Sequence, residues 1–189
     1  MATLIDGRKI AAEIRAEVAA GAARFREETG RAPGLAVVLA GANPASVSYV
    51  TAKERACAEA GIRTFPVRLP EDIPQAALLA EVARLNADPA VDGVLVQLPL
   101  PKGLDAQAVI RAIAPEKDVD GFHPVSLGNL LAGLDTFVPC TPAGIVELLL
   151  RSGADPAGKR VAVVGRTNIV GRPLSVLLSR RGRSLESWD

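Results

Sequence analysis

Gly93-Val94-Leu95-Val96-Gln97-Leu98-Pro99-Leu100-Pro101 is the stretch on which the reading of this chain turns. A short apolar run ends in one amide, and prolines then stop regular pairing. A strand that is apolar on both faces has none left for water. Val91–Leu98 is therefore expected to be a strand covered on both sides, as in a parallel sheet. Gln97 is the exception. A buried amide must find hydrogen-bond partners. It either ties down the Pro99-Leu100-Pro101 loop or serves a ligand.

Upstream, Leu35–Ala40 has the same doubly apolar character, and Ile62–Leu69 can supply a further strand. Helical patterns separate them. Residues 5–29 place Ile10, Ile14, Val18 and Phe25 at helical spacing before Gly30. After the Gly41-Ala42-Asn43-Pro44 turn a helix runs to about Ala60, with Ser46 as its expected cap. Gln75–Asn86 carries Leu78, Leu79, Val82 and Leu85 on one face, and a short helix near Ala106–Ala112 precedes a loop over Pro115–Pro124. This alternation predicts an α/β fold: a parallel-sheet domain with helices on both faces. Ligands of such sheets bind beyond the carboxyl ends of the strands, which is where Gln97 falls.

A second strand-helix pattern starts late. Pro139-Cys140-Thr141-Pro142 opens a helix that runs through Ile145–Leu150. Arg160–Val164 reads as a strand, Gly165–Gly171 as a turn, and Pro173–Ser179 as the start of a helix. The expected boundary lies near Pro139, giving domains 1–138 and 139–189, the latter the beginning of a Rossmann-like nucleotide-binding domain. One such unit cannot bury its own faces, and the basic tail Ser179–Asp189 does not look like a further strand.

The 189 residues carry a net charge of +1, which gives no electrostatic case for nucleic acid or an anionic membrane as partner. The N-terminus lacks the apolar core of a signal peptide, and no run is long enough to span a bilayer. A cytoplasmic protein is expected. Cys57 and Cys140 are isolated and the chain has a single histidine, so neither a metal site nor a disulfide scaffold is expected.

Several residues carry candidate chemistry. Tyr49 and Lys53 are four apart and share a helix face. A lysine works as acid or base when its surroundings favour the neutral amine, and a tyrosine offers a ring and a hydroxyl to hold a substrate. In isolation the pair reads more readily as a solvated lysine beside a packed tyrosine. Asp118 and Asp120 precede Gly121; such acids either bind the N–H edge of a heterocycle or form the turn. The Gly165–Gly171 loop aims backbone N–H groups at an anion such as a pyrophosphate, and Arg166 could pair with a 2′-phosphate. It is not a full Gly-x-Gly-x-x-Gly fingerprint. His123 reads as a loop-packing residue, and Cys140 as a small buried one.

Taken in order, these segments resemble the bifunctional methylenetetrahydrofolate dehydrogenase/methenyltetrahydrofolate cyclohydrolase family, called FolD in bacteria. The resemblance rests on Asn43-Pro44-Ala45-Ser46 with Tyr49 and Lys53, on Asp92–Pro101, on Pro115–Pro124, on Pro139-Cys140-Thr141-Pro142, and on Asn168-Ile169-Val170-Gly171-Arg172-Pro173. It implies NADP-dependent oxidation of 5,10-methylenetetrahydrofolate to the methenyl cation, then hydrolysis to 10-formyltetrahydrofolate. It implies that Lys53 is the general acid/base of the hydrolysis, that Gln97 holds and tunes it, that Tyr49 positions the folate and that Asp120 binds the pterin edge. Pro99 and Leu100 join Tyr49, Gln97 and Asp120 around the substrate. Thr141, Gly165, Arg166, Thr167, Gly171 and Pro173 fall at NADP positions, with Thr167 where serine is common. Tetrahydrofolate derivatives as ligands and a homodimer follow from the same resemblance. Family members continue past Asp189 with further nucleotide-domain strands. The alternative expectation is therefore a catalytically incomplete fragment that binds folate at most.

Overall fold

The computed structural model describes residues 4–179. The chain divides into two compact units. One spans Glu13–Asp118, and the other takes in Val119 onward together with the residues up to Ala12. The chain enters through helix α1, Gly7–Thr29.

The first unit is built on three parallel strands, β1 (Gly34–Ala40), β2 (Arg63–Leu69) and β3 (Gly93–Val96), in the order β2-β1-β3. Helix α2 (Pro44–Glu59) connects β1 to β2, and α3 (Gln75–Ala87) connects β2 to β3. The first connection steps to one side of β1 and the second crosses back to the other side. Right-handed crossovers then put α2 and α3 on opposite faces of the sheet. Ala36, Val38, Val94 and Val96 form the core with Leu78, Val82 and Leu85 of α3 and with Val109 and Ile113, which lie in and just after α4 (Ala106–Ala112). Successive side chains of a strand point to opposite faces. Val37 and Leu39 of β1 are buried too, and α2, with Val50 fully buried, packs on β1 and β2. The doubly apolar strands thus find the two-sided cover that their composition requires. Pro66 sits in β2, a sheet edge, where a missing N–H is tolerated.

Asp92 closes the amino end of this sheet. Both its carboxylate oxygens accept from Arg31, at 2.7 and 2.6 Å, and one also accepts from the Gly34 N–H at 2.7 Å. The Arg31 guanidinium holds the Asp92 carboxyl below the usual carboxylate range; partial burial opposes the shift and the Gly34 N–H adds to it.

The second unit contains α5 (Pro124–Ala132), α6 (Cys140–Arg151) and α7 (Gly171–Ser179). Leu130, Val146, Leu174 and Leu177 form its core, with Val138, Ile145 and Val163 packed against them. Helix α5 is capped by His123, whose Nδ1 accepts from the Val125 N–H at 3.0 Å, and it ends at Gly133 in the left-handed region.

Three sequence expectations need correction. Arg160–Val164 forms no strand among the described residues: Val161 is half exposed and Val164 fully so, although Val163 reaches the core. A strand needs a neighbour for its N–H and C=O groups, and no described strand pairs with this segment. The cap of α2 is Asn43, not Ser46. The Asn43 Oδ1 accepts from the N–H groups of Ala45 and Ser46 at 3.0 and 3.3 Å, while Ser46 is buried inside the helix. Cys140 is exposed, at the first position of α6. The third strand is also shorter than Val91–Leu98, and α5 had no counterpart in the sequence reading. The expected tail Ser179–Asp189 lies outside the described residues beyond Ser179.

Candidate active site

The strand order changes direction at β1 and β3, and that point is where an open parallel sheet leaves a crevice beyond its carboxyl ends. Two chain segments leave the sheet there. After β1, Gly41 adopts a φ of +77° and leads into α2. After β3, the chain runs through Gln97 into Leu98–Pro99, joined by a cis peptide bond. The segments meet at Gly41, where an added Cβ would lie 3.4 Å from the Pro101 ring.

The Lys53 Nζ donates to Gln97 Oε1 at 3.2 Å, joining residues 44 apart in the chain. The Gln97 backbone N–H donates to Val38 O at 2.9 Å, one bond past the end of the β1–β3 ladder. The residue is thus held by the sheet itself. Its side-chain Nε2 donates to Leu98 O at 2.6 Å. A carbonyl only accepts, so the amide nitrogen must face Leu98 and the amide oxygen must face Lys53. Both residues are half-buried.

Ser46 and Val50 point into the fold from α2, and Tyr49, Lys53 and Cys57 form the neighbouring row. Tyr49 is 65 % exposed, so its ring is open to a ligand. Burial pushes the Cys57 thiol up; Glu54 adds to the shift and Lys53 opposes it. Glu54 also accepts from Arg68 of β2 at 2.6 Å, which fixes the middle of α2 over the sheet. Pro99 is exposed, whereas Leu100 packs against the core.

Beyond β3, the Asp118 backbone pairs in parallel with Val94, and Asp118 is buried. Asp120 follows two residues later, half-buried, in the second unit. There the turn is set by Gly121, with a φ of +66°. A Cβ at Gly121 would stand 2.8 Å from backbone atoms of Phe137, Val138 and Pro139, so no side chain fits.

The nucleotide-type loop shows local order of its own. Thr167 Oγ1 accepts from the Val170 N–H at 3.2 Å, the geometry of a helix N-cap. A serine hydroxyl could make the same bond. A Cβ at Gly171 would collide with the Gly165 carbonyl, so the loop closes only with glycine there. Arg166 is exposed, Pro173 is buried at the start of α7, and Thr141 is exposed in the first turn of α6.

Sequence reasoning gave Lys117 no role. Its Nζ donates to the carbonyls of Leu85, Asn86 and Asp88, at 3.4, 2.8 and 2.9 Å. These acceptors lie at the end of α3, about thirty residues upstream, so no local pattern could have revealed them.

Comparison with known proteins identifies the family. The model for the tetrahydrofolate dehydrogenase/cyclohydrolase catalytic domain matches residues 5–120, and that for the NAD(P)-binding domain of the same family matches residues 139–187. The bifunctional protein FolD of Desulfovibrio desulfuricans is 55 % identical over 179 residues, covering 95 % of this chain and 63 % of its own. A 5,10-methylenetetrahydrofolate dehydrogenase structure from the silkworm, Bombyx mori, superposes with a TM-score of 0.94 at 38 % identity, over 100 % of this chain and 67 % of that one. The Trypanosoma brucei methylenetetrahydrofolate dehydrogenase-cyclohydrolase, solved with NADP and an inhibitor, gives 0.88 at 41 % identity, over 93 % and 60 %. The chain therefore spans a little under two thirds of the length of the curated relative. It belongs to the tetrahydrofolate dehydrogenase/cyclohydrolase family.

Proposed function

We propose that this member of the tetrahydrofolate dehydrogenase/cyclohydrolase family oxidises 5,10-methylenetetrahydrofolate with NADP and hydrolyses the resulting methenyl cation to 10-formyltetrahydrofolate. The observation that carries the reading is the Lys53–Gln97 hydrogen bond at the switch point of the sheet. In the hydrolysis, water attacks the methenyl carbon and gives Lys53 one proton; the carbon–nitrogen bond of the ring then breaks, the departing nitrogen takes up the proton of the added hydroxyl, and the formyl group remains. Gln97 holds the amine through its oxygen. Tyr49 offers its open ring to the folate, Pro99 and Leu100 flank it, and Asp120 takes the N–H edge of the pterin.

NADP, when bound, accepts the hydride that leaves the methylene bridge. The Thr167-capped turn into α7, the glycine contact between Gly165 and Gly171, and exposed Arg166 fit a dinucleotide phosphate. Thr141 and Pro173 complete that side. The reading places the folate domain at residues 1–138 and the nucleotide domain from 139. A homodimer in the cytoplasm accompanies it, on the family resemblance alone.

A second reading keeps hydrolysis or folate binding without hydride transfer. It is favoured by the location of Lys53 and Gln97 wholly within Glu13–Asp118, apart from the unpaired Arg160–Val164 segment. One experiment decides. The purified chain is assayed for methylenetetrahydrofolate oxidation with NADP and with NAD, and for methenyltetrahydrofolate hydrolysis, with Lys53→Ala as control. NADP-dependent oxidation together with a hydrolysis that Lys53→Ala abolishes supports the first reading, and hydrolysis or tetrahydrofolate binding without oxidation supports the second. Neither activity, from a folded chain that also fails to bind tetrahydrofolate, overturns both.

A further inference from the structure

The last carbonyls of α3 lie past its regular hydrogen bonds, Leu85 O taking the Asp88 N–H at 3.3 Å and Asp88 O the Val91 N–H at 3.2 Å, and the negative end of the helix dipole sits there. Lys117 answers them with one ammonium group, half-buried, at 2.8 to 3.4 Å. Asn86 adds a second tie from the same helix end. Its Nδ2 donates to Ala112 O at 2.7 Å, and its Oδ1 accepts from the Ala114 N–H at 3.0 Å. The end of α4, the short 3-10 turn Pro115–Lys117 and the end of α3 are thereby sewn together. The next residue, Asp118, pairs its backbone with Val94 on the outer edge of β3. Asp120 hangs two residues further on, a covalent reach of about 7 Å.

We propose that Lys117 is a positioning residue for folate binding: by anchoring the turn before Asp118 to the end of α3, it fixes where Asp120 is presented. This rests on the reading that Asp120 takes the pterin edge. Lys117 touches no substrate and moves no proton. A side chain needed only to cap α3 would make any loss follow global stability; a positioning residue decouples the two.

The test uses the 189-residue chain and three variants, Lys117→Met, Lys117→Arg and Asp120→Asn, with Lys117→Gln in reserve should the methionine variant not fold. Tetrahydrofolate affinity is measured by calorimetry, and amide hydrogen exchange is followed residue by residue. In Lys117→Met, exchange at Val119, Asp120 and Gly121 should rise by roughly tenfold or more while the amides of β1 keep their protection. Tetrahydrofolate should bind roughly tenfold more weakly, the scale of one lost well-placed contact. Lys117→Arg should restore most of both. Unchanged exchange at residues 119–121 overturns the proposal. So does unchanged affinity in Lys117→Met when Asp120→Asn weakens binding. If Asp120→Asn leaves affinity untouched, the pterin role of Asp120 is what fails, and exchange still decides whether Lys117 fixes the loop.

Discussion

Val94-Leu95-Val96 and Val161-Ala162-Val163-Val164 are close to the same sequence, yet they end in opposite states. The first is a strand with every residue below one tenth exposed, paired to β1 on one edge and bridged by Asp118 on the other. The second is an irregular segment with Val164 in solvent. Strand propensity is the same in both. What differs is the neighbour: a β-branched run becomes a strand when another backbone takes its hydrogen bonds and a helix covers its side chains. The candidate chemistry follows the same division. Gln97 is aimed by a backbone bond to β1, whereas Arg166 is exposed on a loop turned by the Thr167–Val170 bond.

The largest test of that contrast is catalytic. Lys53→Met should lower methenyltetrahydrofolate hydrolysis by about a hundredfold or more, the usual contribution of a general acid/base, with little change in melting temperature. Arg166→Ala should leave hydrolysis intact and raise only the NADP concentration needed for oxidation. Equal losses of hydrolysis in both variants would erase the division between the regions.

Next comes packing. Leu78→Ala empties a fully buried site between α3 and the sheet and should cost about 2–5 kcal/mol by denaturant titration. A loss below 1 kcal/mol would mean that the sheet does not owe its order to its helical cover.

The Arg31–Asp92 clasp should register as pH dependence. The folded Asp92 is depressed, so its stabilisation is present above the unfolded value of about 3.9 and is lost as pH falls through the lower folded value. Asp92→Asn should therefore lower the denaturation midpoint at pH 7 and narrow its gap from wild type at pH 3. With both side chains more than a third exposed, the effect should stay near or below about 1 kcal/mol after solvent screening. A gap that widens on acidification would contradict the sign.

The smallest expected effect is the sharpest comparison. Val164→Thr should change stability by less than about 0.5 kcal/mol, as at other open surface sites, while Val96→Thr should destabilise by an unpaired buried hydroxyl, about 1–3 kcal/mol. Equal effects would show that Val164 is buried after all.

Much of the first unit was legible because its signals are local. Doubly apolar runs marked β1 and β3, and helical spacing of Leu78, Val82 and Leu85 marked α3. The parallel arrangement followed from alternation, and the family comparisons agree with the α/β reading. Asn43 was missed as a cap, although Asn-Pro is itself a start signal. Helix α5 was missed although His123-Pro124 opens it and Leu127, Leu130 and Leu131 follow. The role of Lys117 could not be read, because its partners are set by how α3 and the turn before Asp118 come together in space. The Lys53–Gln97 bond was suggested only by resemblance; spacing says nothing of contacts 44 residues apart.

The amide of Gln97 has one further consequence. With its nitrogen committed to Leu98, it presents Lys53 with an acceptor and nothing else. One N–H of the lysine is thereby pinned along the line to Gln97. A tetrahedral nitrogen that spends one corner on its own carbon and one on this bond has two corners left, both turned away from the amide. Any lone pair must occupy one of them. The side facing Gln97 is thus closed to any group that would give the lysine a proton, and that closure traces back to a single main-chain carbonyl, Leu98 O.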